Sequence, residues 1–460
     1  MKMIMILFIA MVTIGVVEGT FKDMTYLVNK DLMKWPGHKS YNSTIALLGP
    51  VLGAPFVASN NFETSEHVGT HMDAPYHFTA QGWRLHQIPF SQLKGPAVVI
   101  DIREKASQIQ DATLDVSDLE DWESEFGQQI PKGAVILMNS GWNKYWGNAT
   151  AYVGGDTIET LHSPGFSREA VDWLLKNRDV VGFATDTLNC DIGKTLNFEA
   201  HILMLGENKW CVEMAANVGE IPKQGSVVYA MPMKIENGSG APIRLYAVWD
   251  EKDPWVTGGA TCITCCITII GLAVLSPAVV IDIREKASQI QDATLDVSDL
   301  EDWESEFGQQ IPKGAVILMN SGWNKYWGNA TAYVGGDTIE TLHSPGFSRE
   351  AVDWLLKNRD VVGFATDTLN CDIGKTLNFE AHILMLGENK WCVEMAANVG
   401  EIPKQGSVVY AMPMKIENGS GAPIRLYAVW DEKDPWVTGG ATCITCCITI
   451  IGLAVLSHIF

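Results

Sequence analysis

Residues 66–78 read EHVGTHMDAPYHF. Three of the chain's ten histidines and an aspartate fall within eleven residues here, at positions 67, 71, 73 and 77. All four positions are odd, and alternate side chains of an extended segment share one face. Of the three histidines, a helix would bring together only His67 and His71, and Gly69 and Pro75 disfavour one. The expectation is extended backbone, bent at Gly69 and released from ladder pairing at Pro75. His71 and Asp73, roughly 7 Å apart at Cα, can then converge on one ion. His67 needs the bend at Gly69 to join them.

Burying several polar groups on one face without a partner is costly, and a divalent cation removes that cost. Imidazole and carboxylate donors suit zinc or manganese. The absence of ligating cysteines points to a catalytic rather than a structural site, with open positions for water or substrate. Further donors are expected downstream in NFEAHILMLGENKWCVEM, where His201 and Glu213 stand twelve residues apart. His201 is expected to open a strand, HILMLGE (201–207), and Glu213 to lie near the start of the next ordered segment. His38, His86 and His162 are read as ordinary satisfied histidines.

Composition limits the alternatives. Hydrophobic residues make up 47% and charged residues 19% of the 460, enough for a packed core. A formal charge of −21 without a Lys/Arg cluster excludes nucleic acid as a partner. Residues 1–19, with one lysine, an apolar run and small residues at Val17 and Gly19, read as a signal peptide. The expected location is therefore the secretory pathway, extracellular or anchored at the cell surface. Sequons at Asn42, Asn148 and Asn237 agree with glycosylation there.

Residues 96–276 recur letter for letter as 277–457, at a constant offset of 181. Such identity is foreign to a solenoid array. It points to a very recent duplication or to a fault in the assembled coding sequence, which synonymous differences in the DNA would separate. The histidine-rich segment occurs once. The chain is thus expected to hold one complete domain (23–251), a hydrophobic segment (257–276), an incomplete copy (277–431) lacking the first histidines, and a hydrophobic tail (438–460). The tail reads as a lipid-anchor signal or a transmembrane helix, which makes membrane anchoring an expectation. The copy's His382 and Glu394 are expected to face no partner ligands.

Within the complete domain, PAVVIDI (96–102), AVILMNS (134–140), VVGFATD (180–186), VVYAMPM (227–233) and RLYAVWD (244–250) read as strands. SREAVDWLLKNRD (167–179) reads as a helix capped by Ser167. The fold class is α/β. Cys190 and Cys211 form either a disulfide or two buried thiols. Trp35, Trp142 and Trp146 are candidates to line an aromatic pocket, Trp35 for substrate binding.

The pattern H-x-G-T-H-x-D-x-P-x-H-F, filled by His67 through Phe78, resembles the signature of the cyclase family of metal-dependent hydrolases, which includes bacterial-type kynurenine formamidases and isatin hydrolases. WPG at Trp35–Gly37, IPFSQLKGPAVVIDI, VILMNSGWNKYW and the His201–Glu213 spacing extend the resemblance over roughly residues 23–250. Asn139 and Ser140 depart from it, standing where members often carry other residues. The resemblance implies a swivelling β/β/α fold in a single complete copy, and a homo-oligomer. It implies that His67, His71 and Asp73 hold one metal, that Asp73 bridges to a second held by His201 and Glu213, and that His77 is the acid/base. One or two ions per site both occur in the family.

No G-x-S-x-G elbow is present, so a serine mechanism is not expected. The implied reaction is hydrolysis of a small amide by metal-bound hydroxide, most simply N-formyl-L-kynurenine to L-kynurenine and formate. Hydrolysis of a cyclic amide, as in isatin hydrolases, is the alternative. A non-catalytic surface binding protein that keeps the metal as structure is the third reading.

Overall fold

The computed structural model describes residues 19–51, 53–155, 157–250, 275–336, 338 and 341–430. Most of the expected signal peptide and of both hydrophobic segments lies outside the described residues. Among those described, no helix is long and apolar enough to cross a membrane.

The first unit runs through twelve strands: β1 (Gly19–Asp23), β2 (Asn42–Val51), β3 (Ala54–Glu63), β4 (His71–Asp73), β5 (Lys94–Asp101), β6 (Thr113–Leu114), β7 (Ala134–Asn139), β8 (Gly165–Phe166), β9 (Val180–Thr185), β10 (Trp210–Glu213), β11 (Val227–Pro232) and β12 (Gly240–Asp250). Five helices lie between them: α1 (Arg103–Gln108), α2 (Val116–Phe126), α3 (Ala149–Val153), α4 (Arg168–Asn177) and α5 (Glu199–Gly206). The main sheet has the order β1-β12-β11-β5-β7-β9-β10-β4, and an additional β4–β12 pairing closes it into a ring. β5, β7, β9 and β10 run parallel, while β11, β12 and β4 join antiparallel.

The apolar runs at 96–102 and 134–140 do not alternate with polar residues because both of their faces are covered. Ala97, Val99, Val135 and Leu137 enter one core with Leu85, Leu93 and Tyr246. Val98, Ile100, Ile136 and Met138 enter a second core beneath α2 and α4, with Leu119, Trp122 and Leu174. Ser167 caps α4, its hydroxyl accepting from the Ala170 amide at 3.1 Å.

Two sequence boundaries shift and one element changes type. The first unit includes described residues before 23, because β1 (Gly19–Asp23) pairs residue for residue with Tyr246–Asp250. Leu275 and Ser276 belong to a strand (Leu275–Asp282) instead of ending the hydrophobic segment, because they pair with Tyr410 and Val409. HILMLGE is helical, not a strand. Its apolar run is ambiguous by periodicity. The deciding group is Asp191, whose carboxylate accepts from the amides of Ala200 (2.9 Å) and His201 (3.1 Å) at the start of α5.

In the second unit, residues 275–430, the main sheet is open and six-stranded. It packs on the first unit, where Val28 accepts from the Glu417 amide and donates to the Lys415 carbonyl. Tyr410, Met412 and Val429 join the first unit's core.

Candidate metal centre

β4 and β10 assemble the centre. Their antiparallel register places Glu213 opposite His71 and Cys211 opposite Asp73. Met72, between the two donors, points into the core, which turns His71 and Asp73 to the other side. Gly69 makes the bend, with φ +54°, and a Cβ there would come within 2.5 Å of Leu32 Cδ1. Thr70 pins the segment by donating to the Met214 carbonyl at 2.7 Å and accepting from the Tyr26 amide at 3.0 Å.

Beyond Asp73 the extended reading fails. Residues 75–77 form a 3-10 turn, because Pro75 fixes its own φ and lacks an amide hydrogen for the ladder. His77 therefore reaches the site by turning back, and its ring stacks on that of His67 at 4.1 Å.

The buried donors converge on two carboxylates. His67 Nδ1 lies 2.6 Å from Asp73 Oδ1, and His71 Nε2 lies 3.3 Å from the same oxygen and 3.4 Å from Glu213 Oε2. His201 Nε2 lies 3.1 Å from Asp73 Oδ2 and 3.2 Å from Glu213 Oε1. Donor atoms of His71, Asp73 and Glu213 all fall within 4.8 Å of one another, as do those of His67, Asp73 and His77. The five expected ligands and His77 are thus one cluster. Asp73 faces all three ligand imidazoles, and Glu213 faces those of His71 and His201.

The outer nitrogen of each ligand imidazole is occupied. His71 Nδ1–H donates to the Gly69 carbonyl at 2.8 Å, and His201 Nδ1–H to Asp191 at 2.6 Å. His67 Nε2–H donates to Ser239 Oγ at 2.9 Å, and that hydroxyl donates on to Glu66 at 2.7 Å. With these outer nitrogens as donors, the inward nitrogens would offer lone pairs to a metal in place of their bonds to the carboxylates, the arrangement of second partners around a bound metal. Gly240 lets His67 lie against β12, since a Cβ there would come within 2.5 Å of His67 Cε1.

Electrostatics point the same way. Burial opposes ionisation of Asp73, but His67, His77 and His201 hold its carboxyl well below the usual range. Burial also opposes charge on His71 and His201. Asp73 and Glu213 nevertheless raise His71 above the ordinary imidazole value, and Asp191 foremost, with Asp73 and Glu213, raises His201 above it. The two carboxylates draw positive charge into a buried place, and a dication supplies it without protonating the imidazoles. The residues present fit a divalent metal.

His77 behaves differently. It stands at the mouth of the centre, in contact with solvent, and desolvation of its inner side together with the neighbouring imidazoles lowers its pKa against the pull of Asp73. It is neutral at neutral pH. The mouth opens into a cavity of about 170 Å³ walled by Trp35, His38, Phe78, Leu188, Phe198 and Met214.

Trp35 is therefore at the cavity, while Trp142 and Trp146 are not. Trp142 is buried and bonds the Tyr152 carbonyl, and Trp146 stacks on Tyr26 at 3.5 Å. His38 departs from its ordinary reading, lining the cavity and contacting the His67 carbonyl at 3.1 Å. His86 accepts from the Asn237 amide, and His162 pairs with Asp111, both away from the centre. Asn42, Asn148 and Asn237 are exposed. Cys190 and Cys211 are bonded to each other beside Glu213, whose Oε1 accepts from the Cys190 amide at 3.0 Å. Asp191, Ser239 and Glu66 carried no signal in the sequence, because their partners are reached only through the fold.

The sequence model of the Cyclase family, described as "Putative cyclase", matches residues 22–192 and again 261–373. The isatin hydrolase of Roseibium aggregatum is 32% identical over 202 residues, covering 42% of this chain and 76% of that protein. The kynurenine formamidase of Salinibacter ruber is 27% identical over 192 residues, covering 41% and 79%. Among solved structures, isatin hydrolase A from Ralstonia solanacearum aligns at 31% identity with a TM-score of 0.47, over 50% of this chain and 92% of that one. Matched over more than half its length, and similar in sequence to two hydrolases, the chain belongs to the cyclase family of metal-dependent hydrolases.

Proposed function

We propose that the first unit hydrolyses the C–N bond of a small aromatic amide, with N-formyl-L-kynurenine, cleaved by water to L-kynurenine and formate, as the type substrate. The observation that carries this reading is the junction of two features. A cradle of five buried ligands opens into an aromatic-walled cavity, and a neutral imidazole stands at the join. A divalent ion in such a cradle, zinc or manganese, singly or as a pair, supplies an acidified water and polarises a carbonyl.

The chain's own residues do the rest. Gly69, Ser239 and Asp191 hold the three imidazoles in one tautomer each. Trp35, Phe78 and Phe198 offer aromatic surface to the acyl or aryl group. His77 takes a proton at its ring nitrogen from the attacking water and returns it to the leaving nitrogen. A cyclic amide is the second reading, favoured by the higher identity to isatin hydrolase, 32% against 27%.

The test is His77→Ala, assayed with N-formylkynurenine and isatin alongside metal content. Turnover is expected to fall by about 10²–10⁴-fold with metal retained. Because His77 is held below 6.5, the wild-type rate is expected to persist as pH falls through 6.5 and to fail only at more acidic pH. Unchanged turnover in the variant, or an acid limb at 6.5 or above, removes His77 from the reaction.

A further inference from the structure

Asn189 lines the cavity and is 1% exposed. Its Oδ1 accepts from the Asp191 amide at 3.1 Å, closing a turn of the kind asparagine favours. That bond fixes which end of the side-chain amide is which, and among the described residues Nδ2 is left with no acceptor. A buried donor without a partner is costly, and the neighbouring walls, Leu188 and Phe198, offer no side-chain acceptor.

The second unit supplies a control within the same chain. Asn370 makes the identical turn, accepting from Asp372 at 3.0 Å, but it is only half-buried. Burial of the free donor is therefore not a property of the loop, since it arises only where residues 19–95 complete the cavity.

We propose that Asn189 Nδ2 donates to the carbonyl oxygen of the bound amide, making Asn189 a substrate-positioning residue. This rests on the amide-hydrolase reading above. A neutral donor suits a neutral acceptor: a carbonyl takes this bond without a counter-charge, whereas a carboxylate or phosphate would call for a cation that this wall lacks. The oxygen would lie between Nδ2 and the metal cradle, with the aromatic frame against Trp35 and Phe198.

The experiment uses the full, zinc-loaded chain with two probes, formanilide and aniline, which share the aryl ring but differ in the carbonyl. Asn189→Ser keeps a hydroxyl able to accept from the Asp191 amide but removes the amide nitrogen, leaving only a shorter O–H set back from the cavity, and Asn189→Asp replaces the donor with an acceptor oxygen. Calorimetric dissociation constants, corrected for turnover, are expected to weaken about tenfold for formanilide in both variants. Aniline affinity and zinc content are expected to stay unchanged. Equal changes for both probes, no change for either, no formanilide binding by the wild type, or loss of zinc in Asn189→Ser overturns the assignment. If the wild type hydrolyses no amide but the formanilide-specific loss holds, the reaction falls and the site stands. If hydrolysis proceeds with Asn189→Ser unaltered in affinity and rate, the site falls and the reaction stands.

Discussion

Residues 96–249 and 277–430 carry the same letters and yet do not build the same object. In the first unit β4 pairs with both β10 and β12, and the sheet closes. In the second, among the described residues, there is no counterpart of β4 and the sheet stays open at six strands. The side chain of His201 is 3% exposed and that of Glu213 8%, while His382 and Glu394 are 25% and 33% exposed. Trp210 donates to the Gln92 carbonyl at 2.6 Å, whereas the indole nitrogen of Trp391 is buried and has no acceptor among the described residues. Met214 is 1% exposed and Met395 46%. His382 still meets Asp372 at 2.6 Å and Glu394 at 3.2 Å, so the counterparts of His201 and Glu213 come together without the other three ligands. The identical stretch fixes local geometry. Residues 19–95 supply closure, burial and the remaining donors.

The largest expected effect comes from erasing that difference. A chain beginning at Pro96 should lose zinc uptake and fall to background turnover, because both units would then resemble the second. Retained uptake would show that His201, Glu213 and Asp191 suffice. Next comes Asp191→Ala, which withdraws the hydrogen bond orienting His201 and the cap of α5. Cation affinity is expected to drop by about 10–100-fold, and Asp372→Ala, its counterpart, to leave affinity untouched; equal losses from both would contradict the comparison. The smallest effect is expected at one methyl group. Gly240→Ala pushes on His67, while a Cβ at the equivalent Gly421 meets nothing within 4 Å. Affinity should weaken on the order of tenfold for the first and not at all for the second, as read by competition with a metal indicator.

Much of the architecture was legible because its signals are local. The doubly buried strands announced themselves as unbroken apolar runs, and Ser167 marked the start of α4. The bend at Gly69 followed from the glycine, and the pairing of His71 with Asp73 from their two-residue spacing. The signals that failed to show were long-range. α5 is decided by Asp191, a carboxylate eight residues before the helix begins, so HILMLGE read as a strand. The 3-10 turn at Pro75 changed how His77 arrives without changing where. Ser239 is 172 residues from the imidazole it orients, and no spacing rule reaches that far. Trp142 and Trp146 share a residue type with Trp35 but pack elsewhere, since residue type says nothing about which wall an indole covers.

Among the described residues, one complete candidate cation cradle is shared between an early strand and a later helix and strand of the first unit. Zinc stoichiometry of two matched double variants of the full chain tests it most directly. His201→Ala with Glu213→Ala is expected to abolish uptake and turnover, and His382→Ala with Glu394→Ala to leave both at the wild-type level. Wild-type uptake in the first variant, or its loss in the second, would contradict the account.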